Sequence, residues 1–138
     1  MGAVHYDSYT QARTHLKDLL AAAEQGCTAT VRRESSTAAV VDAGRLRHFL
    51  AVVSPVRAEV VAEDGRWWSF LPGLPISADG ATFDEAILEM VDALRAYATD
   101  WQDWLREAPN HQENWGLVQM INLSTDEQLR DWLVGQAG

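Results

Sequence analysis

The longest apolar repeat in the chain begins at Phe83, and it constrains the fold more than any other feature. Apolar residues recur there every three or four positions, which places them along one side of an α-helix. They are Phe83, Ile87, Met90, Leu94, Tyr97, Trp101 and Trp104. Thr82 and Glu85 have the spacing of a capping box, which predicts where the helix begins. A single helix reaching Ala108 would be unusually long, so we expect a break near Thr99.

The residues on either side of this helix predict a small β-sheet. Alternating and β-branched residues predict four strands, at residues 58–62, 66–71, 76–78 and 115–123. The Asp64-Gly65 dipeptide between the first two strands is typical of a β-hairpin. Ser124 with Glu127 predicts the cap of a final helix. The predicted order in this part of the chain is βββαβα.

The preceding residues predict a second, separate unit with the order βαββα. Its elements are a strand at 3–7, a helix at 8–26, strands at 27–32 and 37–41, and a helix at 43–52. Ser8 with Gln11 predicts the start of the first helix, and Gly26 predicts its end. Pro55 stops the second helix and marks the predicted boundary. We therefore expect an α+β protein with two domains, residues 1–54 and 58–138.

Charge is divided between these two parts. The whole chain carries a net charge of −9. Residues 1–57 hold seven Lys or Arg and five Asp or Glu, a net charge of +2, whereas residues 58–138 hold four and fifteen, a net charge of −11. A basic part can approach phosphate, and an acidic part suits a basic partner.

Several functional classes find little support in the sequence. No apolar run approaches the length that crosses a bilayer, and no secretory leader is evident at Met1, so we expect a cytoplasmic protein. The one cysteine, Cys27, lies among strand-forming residues and is expected to be a small buried side chain. The four histidines lack the spacing of metal ligands. We therefore expect no catalytic residues, no metal site and no cofactor.

The first part resembles the Phd/YefM family of bacterial antitoxins. The resemblance rests on residues 4–16, which contain Ala12-Arg13-x-x-Leu16, on Gly26, on a strand ending in Val31-Arg32-Arg33, and on residues 38–42. It implies a homodimer that binds operator DNA and represses its own operon. The DNA contacts that it implies, with the nearby basic residues, are Arg13, Lys17, Arg32 and Arg33. Pairing would also double a wider basic set that includes Arg45 and Arg47.

The second part resembles HicB antitoxins, which carry a partial ribonuclease-H-like fold. The resemblance rests on the hairpin and its proline-rich exit at residues 60–75, on residues 79–86 at the start of the long helix, and on the strand predicted from Trp115. Ile76-Ser77 departs from the family pattern, and no further DNA-binding module follows. The resemblance implies a cognate toxin as partner, basic and RNA-targeting.

All six tryptophans lie in the second part. Trp67 and Trp68 are adjacent on a predicted strand and must point to opposite faces, so only one of them can readily enter the same core. Tryptophan is enriched at the centres of protein interfaces. The tryptophans that we expect to contact the toxin are Trp68, Trp101, Trp104, Trp115 and Trp132.

The function expected from the sequence is that of a type II antitoxin that neutralises its toxin and represses its operon. Two alternatives stay open. One is a stand-alone transcriptional regulator whose second domain oligomerises or senses a signal. The other is a divalent-metal nuclease that uses carboxylates such as Asp64 or Asp84, although turn formation and helix capping already account for acidic residues at these places.

Overall fold

The computed structural model describes residues 2–54 and 58–135. The chain divides into two units, Met1–Leu46 and Arg47–Gly138. The boundary expected at Pro55 lies outside the described residues. Arg47, the first residue of the second unit, is buried, and its Nε donates a hydrogen bond of 2.8 Å to Ser124 Oγ in the same unit.

The first unit contains a three-stranded sheet in the order β1-β2-β3. Strand β1 (Val4–Tyr6) is parallel to β2 (Ala29–Arg33), which is antiparallel to β3 (Ser36–Ala39). Helices α1 (Tyr9–Thr14) and α2 (Leu16–Glu24) connect β1 to β2. Helix α3 (Ala43–Val53) crosses the boundary between the units.

The sequence predicts one helix where the structure has α1 and α2. Ser8 caps α1 as expected, because its hydroxyl accepts a hydrogen bond of 3.1 Å from the Gln11 N–H. The helix is interrupted at His15, whose N–H donates to the carbonyls of both Gln11 and Ala12. The His15 ring stacks on Tyr6 with 5.3 Å between centroids. This stacking holds His15, where the helix is interrupted, against Tyr6 of β1.

Only part of the apolar stripe of α1 and α2 enters the core of the first unit. The core consists of Leu19, Ala22, Ala23 and Ala29, with strand residues packed around them. The remaining large apolar residues of the two helices are exposed: Tyr9, Leu16 and Leu20. Gly26, at a φ of 80°, ends the segment as predicted, since glycine adopts this left-handed conformation readily.

The second unit contains the predicted hairpin. Strands β4 (Glu59–Glu63), β5 (Arg66–Phe70) and β6 (Ser77–Gly80) form an antiparallel sheet in that order. Asp64 and Gly65 both have positive φ, at 52° and 78°. This is the backbone of a type I′ turn, whose twist matches that of the strands it joins.

Helix α4 (Phe83–Asp100) covers one face of this sheet. Thr82 caps it as predicted by accepting a hydrogen bond from the Glu85 N–H. Ser69 of β5 donates to the Ala86 carbonyl at 3.2 Å, so strand and helix are joined directly. Near the predicted break α4 ends at Asp100, but the chain stays helical through a π-helical turn (Trp101–Leu105), so the helix changes its hydrogen bonding and is not interrupted.

The strand predicted at residues 115–123 is wrong. This segment forms helix α5 (Trp115–Leu123), and its buried residues are Leu117, Val118, Met120 and Ile121. The segment is almost continuously apolar, and such a run does not distinguish a buried strand from a buried helix. The ribonuclease-H-like fourth strand is therefore absent from the described residues, where the sheet of the second unit has three strands.

The final helix, α6 (Asp126–Val134), begins one residue later than predicted. Thr125 and Gln128 form its capping box, in place of Ser124 and Glu127. The Ser124 hydroxyl donates instead to the Met120 carbonyl. The second unit thus has the order βββααα in place of βββαβα, and the α+β class is confirmed.

Two glycines differ in how closely other residues pack against them, so alanine substitutions should have different effects. Gly80 lies where β6 packs closely on α4, and Gly116 lies on α5. A Cβ at Gly80 would lie 2.5 Å from the backbone nitrogen of Ala86, whereas a Cβ at Gly116 would meet Leu50 at an ordinary 3.6 Å. We expect Gly80→Ala to lower the free energy of unfolding by about 2 kcal/mol, because backbone must move. Gly116→Ala should be neutral or stabilising, since alanine favours the helix by about 1 kcal/mol. Urea denaturation measures both, and equal effects would contradict this account.

Candidate functional site

The basic residues predicted to contact DNA are all exposed, on three elements of the first unit. Arg13 lies on α1, Lys17 on α2, and Arg32 and Arg33 at the end of β2. Successive residues of a strand point to opposite faces. Arg33 therefore lies on the side of the core residue Ala29, and Arg32 lies on the open face of the sheet.

The open face of the first sheet carries a polar cluster that sequence reasoning missed. His5 Nδ1 lies 2.7 Å from Thr30 Oγ1, and His5 Nε2 lies 2.9 Å from Asp7 Oδ1. The strand register places Arg32 and Thr37 on this same face. His5 and Thr30 are 25 residues apart, so the sequence does not show that they meet. The alternation of side chains along each strand does show which residues share a face. The face offers hydroxyl and guanidinium groups that can donate hydrogen bonds to phosphate oxygens, with the Asp7 carboxylate at its border as an opposing negative charge.

Arg47 does not belong to the exposed basic set. Its side chain is buried against Ser124 in the second unit, as described above. The Arg45 guanidinium instead contacts Gly26 in the first unit and occupies the space that a Cβ at Gly26 would need. The sequence groups these two arginines because both lie on α3, but neighbouring positions on a helix face different directions.

Three of the five tryptophans predicted to contact a toxin are on the surface. Trp68 is 45% exposed, Trp104 is 67% exposed and Trp115 is 52% exposed. Trp67, the neighbour of Trp68, points to the opposite face and meets Phe83 edge to face at 5.9 Å between centroids. The prediction that the pair splits between two faces is therefore confirmed.

Trp101 and Trp132 require a correction, because both are buried. Trp101 Nε1 donates to the His111 carbonyl at 2.8 Å, and Trp132 Nε1 donates to the Ser54 carbonyl at 3.0 Å. Each indole thus satisfies a backbone acceptor inside the second unit. These two tryptophans stabilise the fold and are not part of the candidate contact surface.

The face of the second sheet that points away from α4 is apolar and exposed. Val61, Trp68 and Phe70 lie together on it, because Val61 is directly opposite Trp68 and Phe70 is two residues further along the same strand. We call these three residues the outer sheet face. Glu59 and Glu63 border it on β4, and Arg66 forms an ion pair of 2.9 Å with Asp79.

Three arginines of the second unit are engaged in ion pairs within that unit. Arg66 pairs with Asp79, Arg95 with Asp126 at 2.8 Å, and Arg130 with Asp84 at 3.2 Å. Arg95 also donates to the carbonyls of Ile121 and Ser124, near the end of α5. Because these arginines are already engaged, most of the charge left for a partner on this unit is negative. Three exposed acidic residues lie within four positions of Trp104 in the sequence, Asp100, Asp103 and Glu107, together with the exposed Arg106.

The carboxylates considered for a nuclease have local roles. Asp84 accepts from Arg130, Glu85 accepts from the Ala81 N–H at 3.3 Å, and Asp64 forms the β4–β5 turn. Within residues 2–54 and 58–135, no three His, Cys, Asp or Glu side chains are grouped so that they could hold a metal ion. In the same part of the chain, no helix is both long enough and apolar enough to cross a membrane.

Comparison with known proteins finds a structural relative. No protein-family model matches the sequence, and no curated protein matches it. The fold matches a crystal structure described as the antitoxin part of a candidate toxin/antitoxin system from Syntrophomonas wolfei subsp. wolfei. The TM-score is 0.79 at 17% sequence identity, and the match covers 94% of this chain and 96% of that chain. The two proteins share a fold.

The difference between buried and exposed indoles can be measured. We expect Trp101→Phe to lower the free energy of unfolding by about 2 kcal/mol, because it removes the indole bond to the His111 carbonyl and leaves a gap where the larger ring was packed. Trp104→Phe should change it by less than about 0.5 kcal/mol, since that ring is largely in solvent. Urea denaturation followed by circular dichroism compares the two. A Trp104 effect as large as that of Trp101 would place Trp104 in the fold rather than on a contact surface.

Proposed function

We propose that this protein is the antitoxin of a type II toxin–antitoxin system. The observation that carries the proposal is the match, over nearly the whole of both chains, to a protein described as an antitoxin. The second unit binds and neutralises a toxin, and the first unit dimerises and binds the operator of its own operon. Charge supports the role of the second unit, because residues 47–138 hold six Lys or Arg and fifteen Asp or Glu. Residues 1–46 hold five of each, so the first unit is neutral overall and offers DNA a local group of arginines.

Exposed apolar and basic residues of the first unit support a dimer that binds DNA. Tyr9, Leu16 and Leu20 are large, exposed and on consecutive helices, and a small unit with a small core gains stability when such residues are covered. Dimerisation doubles the number of arginines offered to a duplex, and each phosphate contact adds to affinity. The proposed DNA contacts are Arg13, Lys17, Arg32 and Arg33.

Exposed tryptophans on an acidic background support toxin binding by the second unit. Trp68, Trp104 and Trp115 are large side chains whose apolar surface is removed from water when a partner covers them. Acidic residues around them favour a basic partner and discriminate against acidic proteins. A toxin that acts on RNA would carry such a basic surface, and covering that surface would block its access to RNA.

The first test concerns DNA. Replacing Arg13 and Arg32 with Ala should weaken binding to the DNA upstream of the gene, and the slope of log K against log salt should become shallower by about one unit for each phosphate that is no longer neutralised. Fluorescence anisotropy at several salt concentrations measures both quantities. Arg106→Ala, which removes an exposed arginine of the second unit, is the matched control and should leave binding unchanged. An unaltered salt slope in the double variant would rule out these two residues as phosphate ligands.

The second test concerns neutralisation. Replacing Trp68 and Trp104 with Ala in the full chain should abolish rescue of cells that express the protein encoded beside this gene, because two large side chains of the interface are removed. The Arg13 and Arg32 double variant should still rescue, and the tryptophan variant should still bind DNA. This reciprocal pattern distinguishes two separate surfaces from a general loss of folding. Full rescue by the tryptophan variant would show that the toxin binds at other residues.

A further inference from the structure

Within residues 2–54 and 58–135, strand β4 pairs with another strand along one edge only. It is the outermost strand of its sheet, with β5 as its neighbour. In the two-residue hairpin, Glu63 and Arg66 flank the turn and exchange hydrogen bonds, so the bonding alternates from there along β4. Val60 and Ala62 consequently direct their N–H and C=O groups away from β5. Ala58, two residues before Val60, points the same way and donates to the Leu133 carbonyl at 3.2 Å, which supports this direction.

This edge lacks the features that usually prevent strand addition. Natural edge strands are protected by lysine, proline, a bulge or a charged residue in the middle. The β4 sequence is Glu-Val-Val-Ala-Glu, and its register with β5 is continuous over all five residues. Its charges lie at the two ends only. The middle of the strand is therefore open to pairing with another extended segment.

The unpaired edge is continuous with the outer sheet face. Val61, at the centre of β4, is exposed and lies beside Trp68 and Phe70. A strand added to β4 would extend the sheet and place alternate side chains next to Val61. One ligand would thus pair with the backbone at the edge and contact the apolar side chains on the face. Added strands are usually bound through both kinds of contact.

We propose that β4 binds a strand of the toxin, with an apolar centre and basic residues about four positions apart. This inference rests on the proposed function and specifies where and how the toxin is held. Glu59 and Glu63 lie on the same face, on either side of Val61. Opposite charges across paired strands are stabilising and like charges are destabilising. A basic residue opposite each glutamate therefore gives the favourable arrangement.

A second copy of this chain fits the edge less well. If two β4 strands pair antiparallel with Val61 at the centre, Glu59 of one lies opposite Glu63 of the other, at both ends of the pairing. Both pairs are then of like charge. The same charges that favour a basic strand thus disfavour this self-pairing.

Amide hydrogen exchange tests the proposal on the unmodified full chain. Exchange is measured by NMR for the protein alone and in complex with the purified product of the adjacent gene. We expect the amides of Val60 and Ala62 to exchange at least about 10-fold more slowly in the complex, because they acquire acceptors. The amide of Val61 already donates to β5 and is the internal reference, with a much smaller change.

Two variants at one position provide a second test. Ala62→Pro removes an outward N–H while leaving the bonds between β4 and β5 in place, and it should weaken toxin binding by about 10-fold or more. Ala62→Thr keeps the N–H and favours a strand, so it should bind as the unmodified chain does. Titration calorimetry measures both. If Ala62→Pro fails to fold, the exchange experiment decides.

The outcomes separate this inference from the proposed function. A complex in which Val60 and Ala62 exchange as fast as in the free chain overturns strand addition and leaves the antitoxin assignment standing. Failure to form any complex overturns both. Protection of the two amides in the free chain that increases with its concentration shows that a second copy pairs at β4, and this also overturns the proposal. Selective protection in the complex supports it.

Discussion

In the described part of the second unit, α4 packs against one face of a three-stranded sheet, and the fold of this unit depends on that packing. Ser69 donates to the backbone of α4, and Gly80 lets β6 approach Ala86 more closely than any side chain would allow. Helices α5 and α6 complete the core on this side, with Val118, Met120 and Leu129 buried. Because the helices are all gathered there, the opposite face keeps Trp68 and Phe70 exposed. The arrangement that makes the core is thus also what leaves a contact surface uncovered.

The electrostatics of the second unit follow from how its few cations are used. Arg66 and Arg130 bind acidic residues within the unit, and Arg95 additionally binds backbone carbonyls near the end of α5. Such exposed pairs add little to stability, typically about 0–1 kcal/mol each. They also occupy three of the arginines of this unit, so the excess carboxylates are the charges left without a partner of opposite sign. The charge that remains unpaired on this unit is therefore mainly negative.

The sequence predicts the elements that have a clear period or a defined turn, and it fails where these are missing. The Asp64-Gly65 hairpin and the cap at Thr82 are predictable, since each depends on local chemistry. Residues 115–123 are apolar on nearly every side, and only the three-dimensional structure shows that they form a helix. The resemblance to a ribonuclease-H-like domain leads to the same error, because it supplies a reason to expect a strand.

The contact residues show a similar limit. Composition indicates that tryptophan is concentrated in the second unit, but it does not separate Trp101, which donates to a buried carbonyl, from Trp104, three residues later and largely in solvent. In a regular helix these two residues would lie on neighbouring faces, and the π-helical turn adds to their separation by widening the angle between them. A π-turn commonly occurs where function requires a side chain to be redirected. The π-helical turn contains both the buried indole of Trp101 and the exposed indole of Trp104. This local change in the helix turns Trp104, which stands between Asp103 and Glu107 in the sequence, towards solvent.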